Sequence, residues 1–430
     1  MRIKINEINK LEGHISFQAA LENGNVKEAK VIVEEGARLI EGILIGRDYS
    51  EAPIITSRIC GICPVVHNLT SIKAMEDALD IKVSDAVLNL RKIMLASQIV
   101  QSHALHLYFC SLPDFFKMSD NFKLLKKFPK EGKKAITIRN FVNKVVEIIG
   151  GRAIHPINSV IGGFNVAPTQ SDLKNLHKEA KELLKTAVEL ADFFENLSYP
   201  KLKNKTIYLS LKNKGYAFYD GVVSYMLDYN PLFKNGSNGI IKPQNFLEGV
   251  KEFESGNVTK RTKIDGDNYM VGALARINNN YSKLSSKAKK IFKRNKKELL
   301  NFNSFYNILA QAIELVHFME VLEYELKKQS ILKSITPAIH KPFKQMNQSA
   351  ETTFKGSAIC EAPRGILFHQ YELDKNGKIK NCNIIAPTAQ SLNNLEADMV
   401  LYLTDNKNFS PDKIKFLIRA YDPCISCATH

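Results

Sequence analysis

R-I-C-G-I-C-P at Arg58–Pro64 and D-P-C-I-S-C-A-T-H at Asp422–His430 are the two stretches that decide how this chain is organised. Each contains a C-x-x-C, a spacing that lets two thiolates from one tight turn point at a common centre. Two such pairs supply four sulfur ligands, which suit zinc, nickel or iron. More than three hundred residues separate the pairs.

Several kinds of site fit two cysteine pairs. Structural zinc is a common one, although zinc ribbons and knuckles usually bring their pairs together within a short local segment. A metal site that the whole fold assembles fits this spacing equally well, so spacing alone leaves both open. A thioredoxin-like redox pair fits less well, because two C-x-x-C motifs would then need separate explanations.

Blocks of sequence in a fixed order along the chain closely resemble the large, catalytic subunit of nickel–iron hydrogenases. In addition to the cysteine stretches, they are L-E-G-H at Leu11–His14, L-I-E-G-I-L-I-G-R-D at Leu39–Asp48, S-H-A-L-H at Ser102–His106, L-P-D at Leu112–Asp114, G-R-A-I-H-P at Gly151–Pro156, E-A-P-R-G at Glu361–Gly365 and A-P-T at Ala386–Thr388. The chain departs from the family at Ser391, where relatives usually carry Asn, and we expect only a local change there.

The resemblance implies that the four cysteines hold a nickel–iron centre. Cys60 and Cys424 would bind nickel alone. Cys63 and Cys427 would bridge nickel to an iron that also carries carbon monoxide and cyanide. The activity implied is the reversible heterolytic cleavage of dihydrogen.

The same resemblance gives roles to residues around the centre. Glu12 would pass protons to and from a nickel cysteine, because a carboxylate can be tuned towards the operating pH. His67 would donate a hydrogen bond to a cysteine sulfur. Pro387 and Thr388 would contact the cyanides. Taken by themselves, Glu12 is a surface carboxylate and His67 a core histidine.

A canopy over the open side of the metals is also implied. It would consist of Arg364 and Pro363 together with Asp114 and Asp422. A guanidinium is essentially always protonated, so Arg364 would polarise a bound ligand, and would act as a base only in an unusual environment. Without the resemblance, Asp114 is an ordinary residue at a helix terminus.

A second cation, magnesium or sometimes iron, is implied beneath the active site. Its ligands would be Glu41, a backbone carbonyl (here Ile384) and the ring of His430; carboxylate oxygen suits magnesium. Glu41 is otherwise a surface charge on a helix. The chain ends at His430 either because a protease removes a tail after nickel insertion, which we favour, or because the gene stops there. We expect His430 to be buried and close to Glu41.

Composition points to a protein of a reducing compartment. Of seven cysteines, the three outside the pairs are scattered at Cys110, Cys360 and Cys382, which argues against a disulfide framework. The N-terminus has no apolar signal core and no apolar run reaches membrane-spanning length, so we expect a cytoplasmic protein. The net charge of +16 comes from dispersed lysines, which favours a solvated surface over nucleic-acid binding.

The predicted fold is one α+β domain over 1–430, predominantly helical, with a central bundle of long helices and peripheral β-hairpins and sheets. Its parts are an N-terminal β unit at about 1–35, a helical core at about 85–330 and a β-rich part at about 350–430. Apolar periodicity predicts helices at Asp85–Tyr108, Thr169–Leu197, Lys283–Leu300 and Phe305–Lys328. Asn23-Gly24 and Asn376-Gly377 predict hairpin turns. Residues 200–260 carry no assignable chemistry.

Electrons must leave through iron–sulfur clusters, and this chain has no further cysteine set to bind one. A small subunit with clusters is therefore expected. The I-R-A-Y-D-P-C stretch most resembles cytosolic enzymes with further subunits, of the flavin and NAD(P) or the heterodisulfide-reductase type. A regulatory dihydrogen sensor and a zinc-stabilised basic binding module are the alternatives.

Overall fold

Long helices form the centre of the molecule and three larger sheets lie around them. The computed structural model describes residues 2–22, 25–118, 120–226, 238–253, 258–329, 353–405 and 410–429. The strands are β1 (Arg2–Ile8), β2 (Ile15–Glu22), β3 (Asn25–Val33), β4 (Ser159–Val160), β5 (Gly163–Phe164), β6 (Ile207–Lys212), β7 (Val222–Met226), β8 (Asn238–Ile241), β9 (Val250–Phe253), β10 (Arg261–Ile264), β11 (Tyr269–Met270), β12 (Thr353–Ala362), β13 (Gly365–Asp374) and β14 (Ile379–Ile385). The helices are α1 (Ile40–Leu44), α2 (Ala52–Thr56), α3 (Pro64–Ala78), α4 (Asp85–Leu105), α5 (Leu112–Phe115), α6 (Asn121–Lys127), α7 (Pro129–Gly150), α8 (Gln170–Glu195), α9 (Phe246–Gly249), α10 (Ala273–Asn280), α11 (Ser286–Arg294), α12 (Lys296–Leu299), α13 (Asn307–Gln329), α14 (Pro387–Asp405), α15 (Pro411–Ala420) and α16 (Ile425–Ala428).

The bundle has two buried helices and two outer ones. α4 and α13 carry apolar residues on almost every face, which is the pattern of a helix surrounded by protein. α7 and α8 bury a single stripe and are polar elsewhere. α4 packs against α7 and α13, and α13 packs against α8. Local signals fix the ends: Thr169 and Asp172 form a capping box before α8, and Gly151 ends α7 with a φ of 82°.

Each end of the chain contributes an antiparallel meander. β1, β2 and β3 form the first, and β12, β13 and β14 the second. α3 packs directly on β12 and β13. A Cβ at Gly356 would collide with the backbone of α3 at Ala74, so only glycine permits this close approach. The meander thereby holds α3, the helix that follows the first cysteine pair, against the core.

The chain between α8 and α10 forms a four-stranded mixed sheet of order β11-β6-β7-β8, in which β11 and β6 run parallel. It falls within the range that we expected to be the helical core. A two-stranded ribbon of β9 and β10 lies next to it in sequence. None of the helices in the described part of the chain combines the length and apolar character that crossing a bilayer requires.

The predicted fold class is confirmed, with local differences. The predicted helices at Asp85–Tyr108, Thr169–Leu197 and Phe305–Lys328 correspond to α4, α8 and α13; α4 continues into a π-helical turn at His106–Ser111. The predicted helix Lys283–Leu300 is interrupted at Asn295, whose side-chain amide donates to Ile291 O and to Glu195. The hairpin at Asn376-Gly377 is present, and Asn23-Gly24 lies outside the described residues.

Candidate metal centre

The two cysteine pairs meet in one buried cluster. The four Sγ atoms lie within 4.8 Å of one another. Cys60 Sγ is 3.3 Å from Cys424 Sγ, and Cys63 Sγ is 3.0 Å from Cys427 Sγ. None of the four side chains is more than 3% exposed. The whole fold therefore assembles this site, which is one of the two alternatives that the sequence spacing left open.

Both cysteine loops end in a helix. Cys63 caps α3 and is followed by Pro64 at the first helical position, where its missing N–H costs no hydrogen bond. Cys424 caps the short helix α16. Asp422 turns the chain into this second loop with a φ of 53°, a left-handed conformation that is uncommon outside glycine. The backbone N–H of Cys424 donates to Thr388 Oγ1 at 2.9 Å, which fixes the loop on α14.

The electrostatics of the cluster call for a cation. Hydrogen bonds from Cys424, Cys427 and Cys63 lower the pKa of Cys60 well below its usual range. Burial raises the pKa of Cys63, Cys424 and Cys427. Burial therefore opposes the charged thiolate form at three of the four positions. Since thiolates are the metal-binding form, a divalent ion is what would deprotonate all four. This buried donor set fits nickel and iron.

Glu12 reaches the cluster from the N-terminal meander. A parallel bridge pairs Glu12 with Cys424, and Ile425 N donates to Glu12 O at 3.1 Å. Glu12 Oε2 lies 3.2 Å from Cys424 Sγ and accepts from Ser426 N at 2.9 Å, while Ser426 Oγ donates to Oε1. Arg38 donates to Ser426 Oγ at 2.8 Å. The resemblance had singled out Glu12, but nothing in the sequence pointed to Ser426 or Arg38.

His67 lies on the other side of the sulfur atoms. Its Nε2 is 3.5 Å from Cys427 Sγ, and its Nδ1 is 3.3 Å from Nε2 of His369. The His369 ring is in turn 2.9 Å from the hydroxyl of Tyr371, which donates to Ser71. This buried chain of polar groups orients the His67 ring towards the sulfur.

Of the expected canopy residues, the structure joins Arg364 to Asp422. Arg364 Nη2 donates to Asp422 Oδ1 at 2.7 Å and Nε donates to Asp422 O at 2.6 Å. Burial alone would lower the pKa of Arg364, but Asp422 and the cysteine sulfurs raise it well above its usual value. Asp114 instead pairs with Arg419 at 2.5 Å. Burial raises the pKa of Asp114 to about 6.

A cavity adjoins the sulfur cluster on one side. Its lining is apolar except at a few points, and its residues are Cys63, His67, Ala362, Pro363, Arg364, Leu367, Pro387, Thr388, Cys424 and Cys427. Thr388 Oγ1 accepts from Cys424 N, so its own proton remains available to a ligand. The sequence had singled out Pro363, Pro387 and Thr388, but not Leu367. The hydroxyl of Ser391 accepts from Val271 N at 3.2 Å.

A buried ion network fixes the strand end that carries Arg364. Arg276 forms two hydrogen bonds to Glu314, at 2.7 and 2.6 Å, and one to Glu361 at 3.0 Å. It also donates to the backbone carbonyls of Ala362 and Pro363, both at 2.9 Å. All three charged side chains have 0% exposure. Sequence reasoning missed Arg276 and Glu314, because neither lies in a recognised motif.

Glu41 and Ile384, the expected ligands of a second cation, do come together. Ile384 N donates to Glu41 Oε1 at 2.6 Å. A third group joins them: Lys260 Nζ lies 2.7 Å from the same Glu41 oxygen and 3.2 Å from Ile384 O. His430 lies outside the described residues. Thr429, the last residue that is described, accepts at its carbonyl from Arg38 N at 2.7 Å.

Comparisons with known proteins agree with this site. A family model described as nickel-dependent hydrogenase matches residues 38–134 and 242–430. The alpha subunit of sulfhydrogenase 1 from Pyrococcus furiosus is 32% identical over 434 residues, covering 100% of this chain and 97% of the relative. The alpha subunit of sulfhydrogenase 2 from the same organism is 32% identical over 441 residues, covering 100% and 99%.

Solved structures share the fold. An NAD+-reducing NiFe hydrogenase in the H2-reduced state gives a TM-score of 0.85 at 24% identity, with coverage of 100% of this chain and 99% of the other. The Ni-Fe-Se hydrogenase of D. vulgaris Hildenborough, as isolated and oxidised, gives 0.78 at 24% identity with full coverage of both chains.

Proposed function

Since this chain belongs to the nickel-dependent hydrogenase family and is the catalytic large subunit of a nickel–iron hydrogenase, we propose the roles of its residues in the reversible cleavage of dihydrogen to protons and electrons. The observation that carries the proposal is the buried cluster of four sulfur atoms within 4.8 Å, drawn from both cysteine pairs. Nothing among the described residues favours the sensing alternative, and family membership decides against a zinc-stabilised binding module.

The four cysteines would bind the two metals in two different ways. Cys60 and Cys424 would bind nickel alone, and Cys63 and Cys427 would bridge nickel to iron. Both proposed bridging cysteines line the pocket beside the cluster together with Cys424, whereas Cys60 does not. When bound, the nickel–iron centre supplies the electrophilic position at which dihydrogen is polarised and its electrons are accepted.

The cavity is also where small ligands on the iron would lie. Carbon monoxide and cyanide are short, and they would lie in the pocket beside the sulfur cluster. Thr388 Oγ1 accepts from Cys424 N, so its own proton would be available to donate to a cyanide, and Pro387 would lie beside it in the same lining. The ammonium group of Lys260 lies next to Glu41 and Ile384, where the resemblance implies a magnesium or iron ion. We therefore assign no metal to that position.

The proton released from dihydrogen would leave through Cys424 and Glu12. The 3.2 Å separation of Cys424 Sγ and Glu12 Oε2 is within reach for direct transfer. Ser426 Oγ donates to the second oxygen of Glu12, so it holds the carboxylate in place and offers the next position for the proton. Arg364, tied to Asp422, would face the open side of the metals as a fixed cation and Pro363 would hold it there. Asp114 would act from farther away through Arg419.

An iron–sulfur small subunit would dock beside the first cysteine loop. Exposed apolar side chains gather there: Leu39, Ile43, Ile54, Ile154, Ile157 and Val166. His155 bonds to Ser57 O at 2.9 Å and Arg38 donates to Ile59 O at 2.9 Å, which places α1 and the 151–166 loop around the cysteine turn. Exposed apolar surface of this kind marks protein interfaces. Electrons would leave the metal centre at this interface, because it lies beside the first cysteine loop. We call these six residues the docking patch.

Further subunits of the flavin and NAD(P) or the heterodisulfide-reductase type would receive the electrons from the small subunit. The most similar relatives described above are alpha subunits of sulfhydrogenases, a name that itself implies several subunits. None of the seven cysteines forms a disulfide, which supports a reducing, cytoplasmic location.

One variant pair tests the assignment of the metal centre. In Cys424→Ser, a hydroxyl replaces one of four thiolates, and we expect nickel content to fall and dihydrogen turnover to be lost. Cys110→Ser changes a thiol outside the cluster and should keep both. Nickel and iron are measured by mass spectrometry, and carbon monoxide and cyanide by infrared bands. Full nickel and full turnover in Cys424→Ser would contradict the assignment.

A further inference from the structure

We propose that Lys260 is the resident cation of the site next to Glu41: its ammonium group lies among Glu41, Asn383, Ile384 and Glu252, where the resemblance implies a magnesium ion. In this chain a covalently attached cation would thus take the place of a metal that has to be acquired.

The ammonium is surrounded by oxygen acceptors. Lys260 Nζ lies 2.7 Å from Glu41 Oε1, 3.1 Å from Asn383 Oδ1, 3.2 Å from Ile384 O and 3.4 Å from Glu252 Oε1. These are hydrogen-bond and ion-pair distances, and three N–H donors serve them. Magnesium demands oxygen at about 2.0–2.1 Å in near-octahedral geometry. The acceptors are thus spaced for an ammonium group.

A divalent ion would conflict with the groups already present. An ion at the shared face of Glu41 and Ile384 O would lie against the Lys260 ammonium and be repelled by it. Glu41 Oε1 also accepts from Ile384 N at 2.6 Å, so the metal would share that oxygen with a second donor. Glu41 Oε1 and Ile384 O are therefore already used by N–H groups.

The surrounding structure fixes Lys260 in position. It directly precedes β10, and its neighbour Arg261 pairs with Glu396 of α14 at 2.9 Å. Glu252 lies on β9, the partner strand of β10, and accepts from Asn383 Nδ2 at 2.9 Å. One ammonium therefore links α1, β14 and the β9–β10 ribbon. The side chains of Lys260, Glu41 and Glu252 are 30%, 22% and 25% exposed, so the cluster is largely shielded from water.

The link matters to the metal centre through Arg38. Arg38 lies two residues before α1, and its guanidinium donates to Ile59 O in front of the first cysteine pair and to Ser426 between the last two cysteines. By holding α1 against β14, Lys260 keeps Arg38 in place. Closure of the cysteine cluster would then be independent of magnesium.

Metal analysis of the purified native complex tests the proposal. After passage through a metal-free buffer, we expect far less than one magnesium per nickel in the wild-type protein. One magnesium per nickel that disappears in Glu41→Gln would overturn the proposal. Nickel and iron are read from the same samples, so a failure of the nickel–iron centre would be seen separately.

Substitutions of Lys260, with Lys263 as the control position, provide a second test. Lys260→Ser removes the ammonium and leaves Glu41 facing Glu252, so we expect it to take up one manganese ion per chain, detected by electron paramagnetic resonance. Lys263→Ser, three residues further along in β10, and the wild type should take up none. No manganese in Lys260→Ser would overturn the proposal. If this variant does not fold, Lys260→Arg, which keeps a cation, should fold and remain free of magnesium; magnesium in it would overturn the proposal.

Discussion

Glu12 Oε2 and Cys424 Sγ are 3.2 Å apart although 412 residues separate them in the chain. The parallel bridge between the same two residues fixes their backbones as well as their side chains. The carboxylate therefore has little freedom to leave the sulfur. A fixed donor–acceptor pair at this distance suits proton transfer.

Glu12→Gln should block proton movement and leave the metal site intact. Gln keeps the shape and the hydrogen bond from Ser426 N, but it has no proton to exchange. General acid–base catalysis contributes about 10²–10⁴-fold, so isotope exchange between dihydrogen and heavy water should fall by at least about 100-fold. Glu7→Gln, on the exposed side of β1, is the control. Wild-type exchange in Glu12→Gln would exclude Glu12 as the relay.

Arg276→Met should destabilise the protein and release the strand end that carries Arg364. It leaves Glu314 and Glu361 buried without their cation, a loss of roughly 3–5 kcal/mol. Arg294→Met breaks a half-exposed ion pair and should cost at most about 1 kcal/mol. Thermal unfolding measures the difference.

Arg276→Lys tests whether Arg276 positions Arg364, separately from its effect on the stability of the protein. It keeps the charge but cannot serve both carboxylates and the carbonyls of Ala362 and Pro363 with one planar group. We therefore expect the infrared bands of the cyanides to shift in the folded variant. Unshifted bands and unchanged turnover would show that Arg276 does not position Arg364.

Asp398 gives the protein a pH dependence of stability. Burial raises its pKa to about 6, although Ser304, Tyr421 and Asn204 donate hydrogen bonds to it. The folded state therefore keeps this proton to a higher pH than the unfolded chain does. The protonated Asp398 therefore adds to the free energy of unfolding at about pH 4. This contribution, at most about 3 kcal/mol, is lost as the pH rises towards 6.

Asp398→Asn should remove that part of the pH dependence, because an amide does not titrate. The melting temperature of the wild type relative to this variant should fall between about pH 4.5 and pH 7. Asp412→Asn, on an exposed position of α15, should follow the wild type. A parallel response of Asp398→Asn and the wild type would show that Asp398 is already ionised at low pH.

Ile154→Glu should weaken binding of the small subunit. Ile154 is 46% exposed within the docking patch, and a charge there would have to be desolvated in an apolar interface. Less small subunit should then co-purify, while the separate large subunit keeps its melting temperature. Tyr324→Glu, at an exposed aromatic position on α13, should co-purify normally. Normal co-purification of Ile154→Glu would move the interface elsewhere.

The site residues that could be predicted from the sequence belong to short local motifs. Each cysteine pair sits in a tight turn before a helix, and Glu12 is in a motif of its own, so their types and spacings are visible without the fold. Lys260 and Arg276 could not be found this way, because tertiary packing brings them to the site from segments outside the motifs. Ser426 lies inside the second cysteine stretch, but its contact with Glu12 depends on the fold. The motif that contains Asp114 is visible in the sequence, but its ion pair with Arg419 depends on tertiary packing.

The separation of 364 residues between Cys60 and Cys424 also bears on the order of events during folding. Loops of this length close late, after the local helices and hairpins have formed. Until then each pair offers only two sulfur ligands, too few to hold a tetrahedral ion firmly. A stray zinc ion that meets the unfinished chain would therefore dissociate easily. Metal selection at this site would in part be a matter of timing, decided by which ion is present when the last loop closes.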